Sequence, residues 1–395
     1  MSLPEPISHN NKKALIADYR HKGHRLNLIS NLAQYLSEER YLVTVDLPEE
    51  CRESEEWELH SDTITHHASM INSSMKNVPD DKHIQSWLRE VLRQANAGEY
   101  TMVIIPWADK VMKDISVIIK ESRDDMHVHL LIGRYAPGIA QYSDYPDPFD
   151  TLDSSIKACE LAKGTNVYIS RLSAAFDPIA LRANTYSDNV NIINDPVDDA
   201  VAQSTSWCRG ELSLPNDEQL ALIAGHLSSR KKILRILKQW PDIYKKHNIK
   251  LVLAGELEAS NESYEEIKKV VDDNKECIIP RFGVISVDSF PRYIKAADIV
   301  ICTYEAGTYM PSGLAGLAYV NKVPVISIGN RYISDLINSL RLGVGIEIYS
   351  PLALTRAISS VKTRPEKAAS YKINPTFTHT FDQMFTDCIS EKETT

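Results

Sequence analysis

The 395-residue chain is 43% hydrophobic and 25% charged, an ordinary globular composition that excludes a disordered polypeptide. At ~150 residues per domain, the length holds two or three domains, and two is the starting expectation. The formal net charge of −9 argues against a nucleic-acid binder, whose phosphate contacts need clustered Lys and Arg.

The opening "MSLPEPISHNNKK" has no apolar leader core, and no run approaches the ~18 apolar residues of a spanning helix. "KALIADY" (13–19) reads as a buried strand. "HRLNLISNLAQYL" (24–36) sets Leu28, Ile29, Leu32, Tyr35 and Leu36 on one helical stripe, and "YLVTVDL" (41–47) returns as a strand. Further strands are expected at 101–105, 127–132, 166–169 and 191–193, with helices near 83–97, 109–120 and 151–163. The polar, turn-rich stretch 194–219 is the best linker candidate and places a domain boundary near residue 200.

The second half repeats the βαβ pattern. "LALIAG" (220–225) leads through "HLSSRK" into a helix with Ile233, Ile236, Leu237, Trp240 and Tyr244 on one face, and "IKLVLAG" (249–255) closes the unit. Strands follow at 277–279, 298–302, 323–327 and 345–348, then a helix at 351–361 and an amphipathic helix at 374–389. Nearly continuous apolar strands between helices indicate parallel sheets covered on both faces. The expected fold is therefore α/β, with two Rossmann-like doubly wound domains at 1–200 and 201–373. The six cysteines, Cys51, Cys159, Cys208, Cys277, Cys302 and Cys388, stand singly, which signals neither a disulfide framework nor a zinc site. A reducing cytoplasm is the expected location, and peripheral membrane attachment stays open.

In open α/β sheets ligands bind beyond the carboxyl ends of the strands. Three loops there carry candidate chemistry. Gly23 in "RHKGHR" permits a tight turn into the first helix; a plain structural turn is the alternative. Gly225 and then His226, Arg230 and Lys231 stand at a helix start, where cations are unfavourable unless a polyanion neutralises them. A diphosphate site accounts for them, and a solvated surface cluster is the bland reading. In "TYEAGTYMPSGLAGL" (303–317), Ser312 is suited to cap a helix from Gly313 to about Tyr319, with Gly313 admitting a ligand to exposed amides. Glu305 at the preceding strand end is a sugar-hydroxyl acceptor or a partner for a base such as Lys231, and Thr308 lies in the same loop. His127 and His129 face one side of a strand without an evident third ligand, so no metal is expected. A substrate contact by that strand stays open. No D-x-D motif is present.

With these pieces in order, the chain resembles the GT-B glycosyltransferases, most closely the family-four type retaining enzymes. "NIINDPVDD", "LIAGHLSSRK", "LVLAGEL", "IIPRFGVIS", "FPRYIKAADIVICTYEAG" and "NKVPVIS" follow in that family's order. The resemblance implies that Lys231 binds the donor's diphosphate and that His226 replaces a family arginine. It makes Glu305 the first glutamate of the E-x7-E motif, with Gly313 standing where the second would be. Phe282 and Val284 fall on the loop bordering the base, and the 374–395 tail would cross back to the first domain. The implied activity is metal-independent, retaining, hexosyltransferase-type transfer from a UDP- or GDP-type nucleotide sugar. The acceptor is left open among a glycan, lipid-linked molecule, small molecule or protein. No separate cofactor is implied. A catalytically inactive GT-B binding partner and a nucleotide-sugar epimerase are the alternatives.

Overall fold

The computed structural model describes residues 12–19, 25–71, 83–133, 151–174, 189–258, 263–308, 311–362 and 376–389. Among these, seven strands form a first sheet: β1 (Lys13–Ala17), β2 (Leu42–Asp46), β3 (Ala68–Met70), β4 (Met102–Ile105), β5 (His127–Ile132), β6 (Val167–Ser173) and β7 (Val190–Asn194). Six form a second: β8 (Gln219–Ala224), β9 (Ile249–Gly255), β10 (Ile278–Phe282), β11 (Ile299–Thr308), β12 (Val325–Asn330) and β13 (Gly343–Ile346). The spatial orders are β3-β2-β1-β4-β5-β6-β7 and β10-β9-β8-β11-β12-β13. Neighbouring strands pair in parallel. Each order reverses once, between β1 and β4 and between β8 and β11. These are the switch points at which doubly wound sheets open a crevice.

Helices α1 (Arg25–Glu38), α2 (Glu55–His67), α3 (Ile84–Ala97), α4 (Ile115–Glu121) and α5 (Thr151–Ala162) accompany the first sheet. With the second go α6 (Thr205–Glu211), α7 (Leu234–His247), α8 (Tyr264–Asp273), α9 (Ser289–Ala296), α10 (Gly313–Val320), α11 (Arg331–Leu340) and α12 (Pro351–Lys362), and α13 (Phe377–Ile389) comes last. Leu220, Ala221, Leu222, Ile223 and Ala224 of β8 are all within 1% of full burial. That is the reason a parallel strand reads as an unbroken apolar run. Each such Leu or Ile contributes roughly 1.5–3 kcal/mol by leaving water.

The structure corrects several sequence expectations. The stretch 194–219 contains helix α6, capped by Ser204 through Trp207 N–H. Its Arg209 is buried and ties the helix down: Nε donates to Ala296 O at 2.8 Å, Nη1 to Asn216 O and Glu218 O, and Nη2 to Asp298 at 2.9 Å. The helix expected at 109–120 begins only at Ile115, after a 3-10 turn at Met112–Asp114. β11 runs six residues past its expected end, with a register irregularity between Thr303 and Thr308.

The two sheets meet at their carboxyl edges. Ala174, just after β6, donates its N–H to the hydroxyl of Tyr332 in the first turn of α11 at 2.9 Å, and both residues are buried in the second domain's core. Helix α13 lies on the first domain, where Phe381, Met384 and Phe385 join the core beside α1. The Tyr35 hydroxyl donates to Asp382 at 2.8 Å.

Candidate functional site

The switch point of the second sheet gathers the residues that leave β8 and β11. Gly225 has φ +88°, and Gly255, at the end of β9, has φ +131°. A Cβ on Gly255 would lie 2.1 Å from Gly225 O, so these two strand ends approach only because glycine occupies both. Over Gly225 comes Lys231. Its Nζ lies 3.4 Å from the point where a Gly225 Cβ would be, and it donates to Ala224 O at 2.6 Å. A 3-10 turn at Ser229–Lys231, followed by left-handed Lys232, folds the loop back to place it. Thr303 Oγ1 of β11 locks the turn by donating to Lys231 O at 2.9 Å.

Desolvation lowers the Lys231 ammonium to a pKa of about 8, against the opposing influence of Cys302 and with help from Arg230. Cys302 is enclosed and its thiol is pushed up to about 12, so it is inert. Around it Ser312 does two tasks. It exchanges a hydrogen bond with the Tyr304 hydroxyl at 2.8 Å and accepts Ala315 N–H at 3.3 Å, capping α10. Burial also raises the Tyr304 phenol, which stays a neutral hydroxyl. The Arg230 guanidinium lies 5.8 Å from the centre of the Tyr304 ring. Lys231, Arg230, Ser312 and the α10 amino end thus converge on one place. Cations and the positive end of a helix in one place are groups whose charge an anion would neutralise.

Residues 208–375 match the family described as Glycosyl transferases group 1. That match falls on the second domain. A 150-residue stretch is 25% identical to an uncharacterized glycosyltransferase of Methanocaldococcus jannaschii, covering 36% of this chain and 37% of that relative's length. Over the whole chain the fold is GT-B. A glycosyltransferase from Rickettsia africae ESF-5 superposes with a TM-score of 0.63 at 14% identity, covering 98% of this chain and all of the other. Anabaena HepE in complex with UDP superposes with a TM-score of 0.59 at 15% identity, covering 96% and 98%. An epimerase-named structure from Listeria monocytogenes shares the shape at 12% identity, TM-score 0.59, with 97% and 98% covered, so shape alone does not select the reaction.

The other expected site residues take these places. His226 turns from the cations toward the end of β9, with Nδ1 3.4 Å from Glu256 and Nε2 3.9 Å from Glu258. Glu305 is 60% exposed and stands 3.5 Å from Lys232, which pairs with it where Lys231 was expected. Phe282 and Val284 follow β10 as apolar residues 40% and 38% exposed, flanking Gly283. Gly313 opens α10, and Thr308 pairs by its backbone with Asn330 in β12. Gly23 lies outside the described residues. His129 is no cleft residue: it is the third residue of β5, stacks on Tyr168 at 4.8 Å and meets Phe385 of α13 at 4.9 Å. Among the described residues no group of three or more His, Cys, Asp or Glu is arranged to hold a metal, and no helix is long and apolar enough to cross a membrane.

Sequence reasoning missed Lys232 and Arg235. Arg235 Nη2 donates to Tyr304 O at 2.9 Å and its guanidinium lies 4.6 Å from the Tyr349 ring centre. No helical spacing relates it to Lys231, because left-handed Lys232 separates the 3-10 turn from α7.

Proposed function

We propose that the chain is a glycosyltransferase moving a sugar from a UDP- or GDP-type nucleotide sugar to an acceptor hydroxyl. The observation that carries this reading is the Lys231 ammonium, set at the switch point with no carboxylate pairing it among the described residues. A desolvated cation without a counter-ion is costly unless an anion completes the site. The diphosphate of a nucleotide is such an anion. As the glycosidic bond breaks, negative charge grows on the leaving diphosphate. Lys231, Arg230 and the amino end of α10 would stabilise that charge as preorganised electrostatics, without a divalent ion. Glu305 would leave Lys232 to accept hydroxyls of the transferred sugar, and Phe282 and Val284 would border the base. HepE, whose solved structures include UDP-glucose, supports a UDP-type donor. Retention rests on the family resemblance alone. The reaction is proposed for the cytoplasm, with peripheral membrane attachment one way to reach a lipid-linked acceptor.

One observation favours a second reading, a partner protein that binds nucleotide sugar without turnover: His226 stands in place of a family arginine and faces two carboxylates. Incubation with a panel of UDP- and GDP-sugars, with and without cell extract, separates the two by following free nucleotide diphosphate. Release that depends on extract supports transfer. Heat protection by a nucleotide sugar without release under either condition replaces transfer with binding, and an altered sugar on an intact nucleotide replaces it with epimerisation.

A further inference from the structure

The Glu305 carboxylate extends from a stretch of strand that the sheet does not fully hold. Pairing of β11 with β12 lapses between Thr303 and Thr308, so the ladder leaves the backbone at Tyr304 and Glu305 unfixed on that side. A flexible, exposed glutamate is placed no better than its own backbone. Other contacts hold that backbone. Arg235, in the first turn of α7, donates from Nη2 to Tyr304 O at 2.9 Å. Gly329 of β12, at φ +81°, lets its backbone come so near that a Cβ there would stand 2.4 Å from Tyr304 O and 3.1 Å from Glu305 C. The Tyr304 side chain is anchored through its hydroxyl to Ser312.

Arg235 is itself held in place. Its guanidinium lies 4.6 Å from the Tyr349 ring centre, and the Tyr349 hydroxyl donates back to Arg235 O at 2.9 Å. One residue earlier on β11, Thr303 Oγ1 donates to Lys231 O. The segment from Lys231 to Arg235 therefore grips β11 at two consecutive residues, and these bonds set the distance between the Lys231 ammonium and the base of Glu305. The Arg235 Nε–H is buried with no hydrogen-bond partner among the described residues. Such an N–H lowers stability, a cost that an aliphatic side chain at this half-buried position would avoid. We infer that Arg235 is a positioning residue for the donor's sugar: through the Tyr304 carbonyl it holds Glu305 at a fixed distance from Lys231, without touching the substrate. Lys232 pairs with the carboxylate and must yield it to a sugar hydroxyl, whereas a bond to the backbone persists through that exchange. This rests on the glycosyl-transfer reading above.

Titration calorimetry on the full chain tests it, with UDP, GDP, UDP-glucose, UDP-N-acetylglucosamine and GDP-mannose. The quantity read is the Kd of the tightest-binding nucleotide sugar divided by that of its own nucleotide diphosphate. Arg235→Met should raise this ratio by roughly 10-fold and leave the diphosphate's Kd within about twofold of wild type. Arg235→Lys keeps a donor for the Tyr304 carbonyl and should return the ratio to within roughly 3-fold of wild type. Glu305→Ala should raise the ratio by itself, and adding Arg235→Met to it should raise the ratio no further. A merely structural arginine would add its own loss in that background. Should Arg235→Met fail to fold, Tyr349→Phe keeps the ring, removes the bond to Arg235 O and should raise the ratio by roughly 3-fold, with no effect in the Glu305→Ala chain. If Arg235→Met leaves the ratio unchanged, weakens the diphosphate equally or adds to Glu305→Ala, or if Glu305→Ala itself has no effect, the inference falls while the diphosphate site stands. If neither UDP nor GDP binds, the glycosyl-transfer reading fails first.

Discussion

Lys231 shows how one side chain couples fold to chemistry. Its folded pKa of about 8 lies below the ordinary 10.5. Between those values the unfolded chain therefore binds more protons, and this group's contribution to stability is lowest below pH 8 and rises toward pH 10.5. A diphosphate against the ammonium acts in the opposite sense. It favours the charged form, so above pH 8 binding takes up a proton and affinity falls by up to about tenfold per pH unit. Calorimetry of UDP binding from pH 7 to 9.5 should show a flat affinity below 8 and a decline above it. Glu305 separates function from stability. Its exposed pair with Lys232 is worth only ~0–1 kcal/mol. Glu305→Ala should therefore leave urea denaturation within about 0.5 kcal/mol of wild type while raising KM for the donor more than for the acceptor.

Among the elements, α6 is held by one residue rather than by an apolar face. Arg209 fixes two backbone stretches and Asp298 at once, a fork that lysine cannot reproduce. Arg209→Lys should destabilise the chain by ~2–4 kcal/mol in urea denaturation. This is also why α6 was invisible in the sequence: only Cys208 and Arg209 are buried, too few for a periodic signal. Helix α2 was missed for the same reason, burying only His60 and Ile64. The buried strands were legible because both faces are apolar, and Ser312 was legible because capping is local chemistry. The polar extension of β11 was not, since Thr303 and Glu305 break the apolar run that marked the strand. Nor was the Lys232–Glu305 pair, because this contact joins residues from different elements.

At the scale of the molecule, two sheets present their carboxyl edges to one another around the Ala174–Tyr332 contact, and α13 fastens its aromatic face to the first domain. Phe385 is fully buried against Tyr35 and His129. Phe385→Ala should cost ~3–5 kcal/mol, read as a lowered denaturation midpoint, and UDP affinity in the folded fraction should not change. The arrangement matters for function because closing such a cleft excludes water from a transfer reaction. Everything depends on whether the floor at Gly225, Lys231 and α10 holds a diphosphate. The direct test is titration calorimetry of UDP, GDP and uridine against the wild-type chain and Lys231→Ala at pH 7. The account predicts that at least one of UDP and GDP binds far more tightly than uridine and loses roughly 100-fold in the variant, with the thermal melt preserved. Equal affinity of wild type and variant, or a diphosphate that binds no better than uridine, would contradict it.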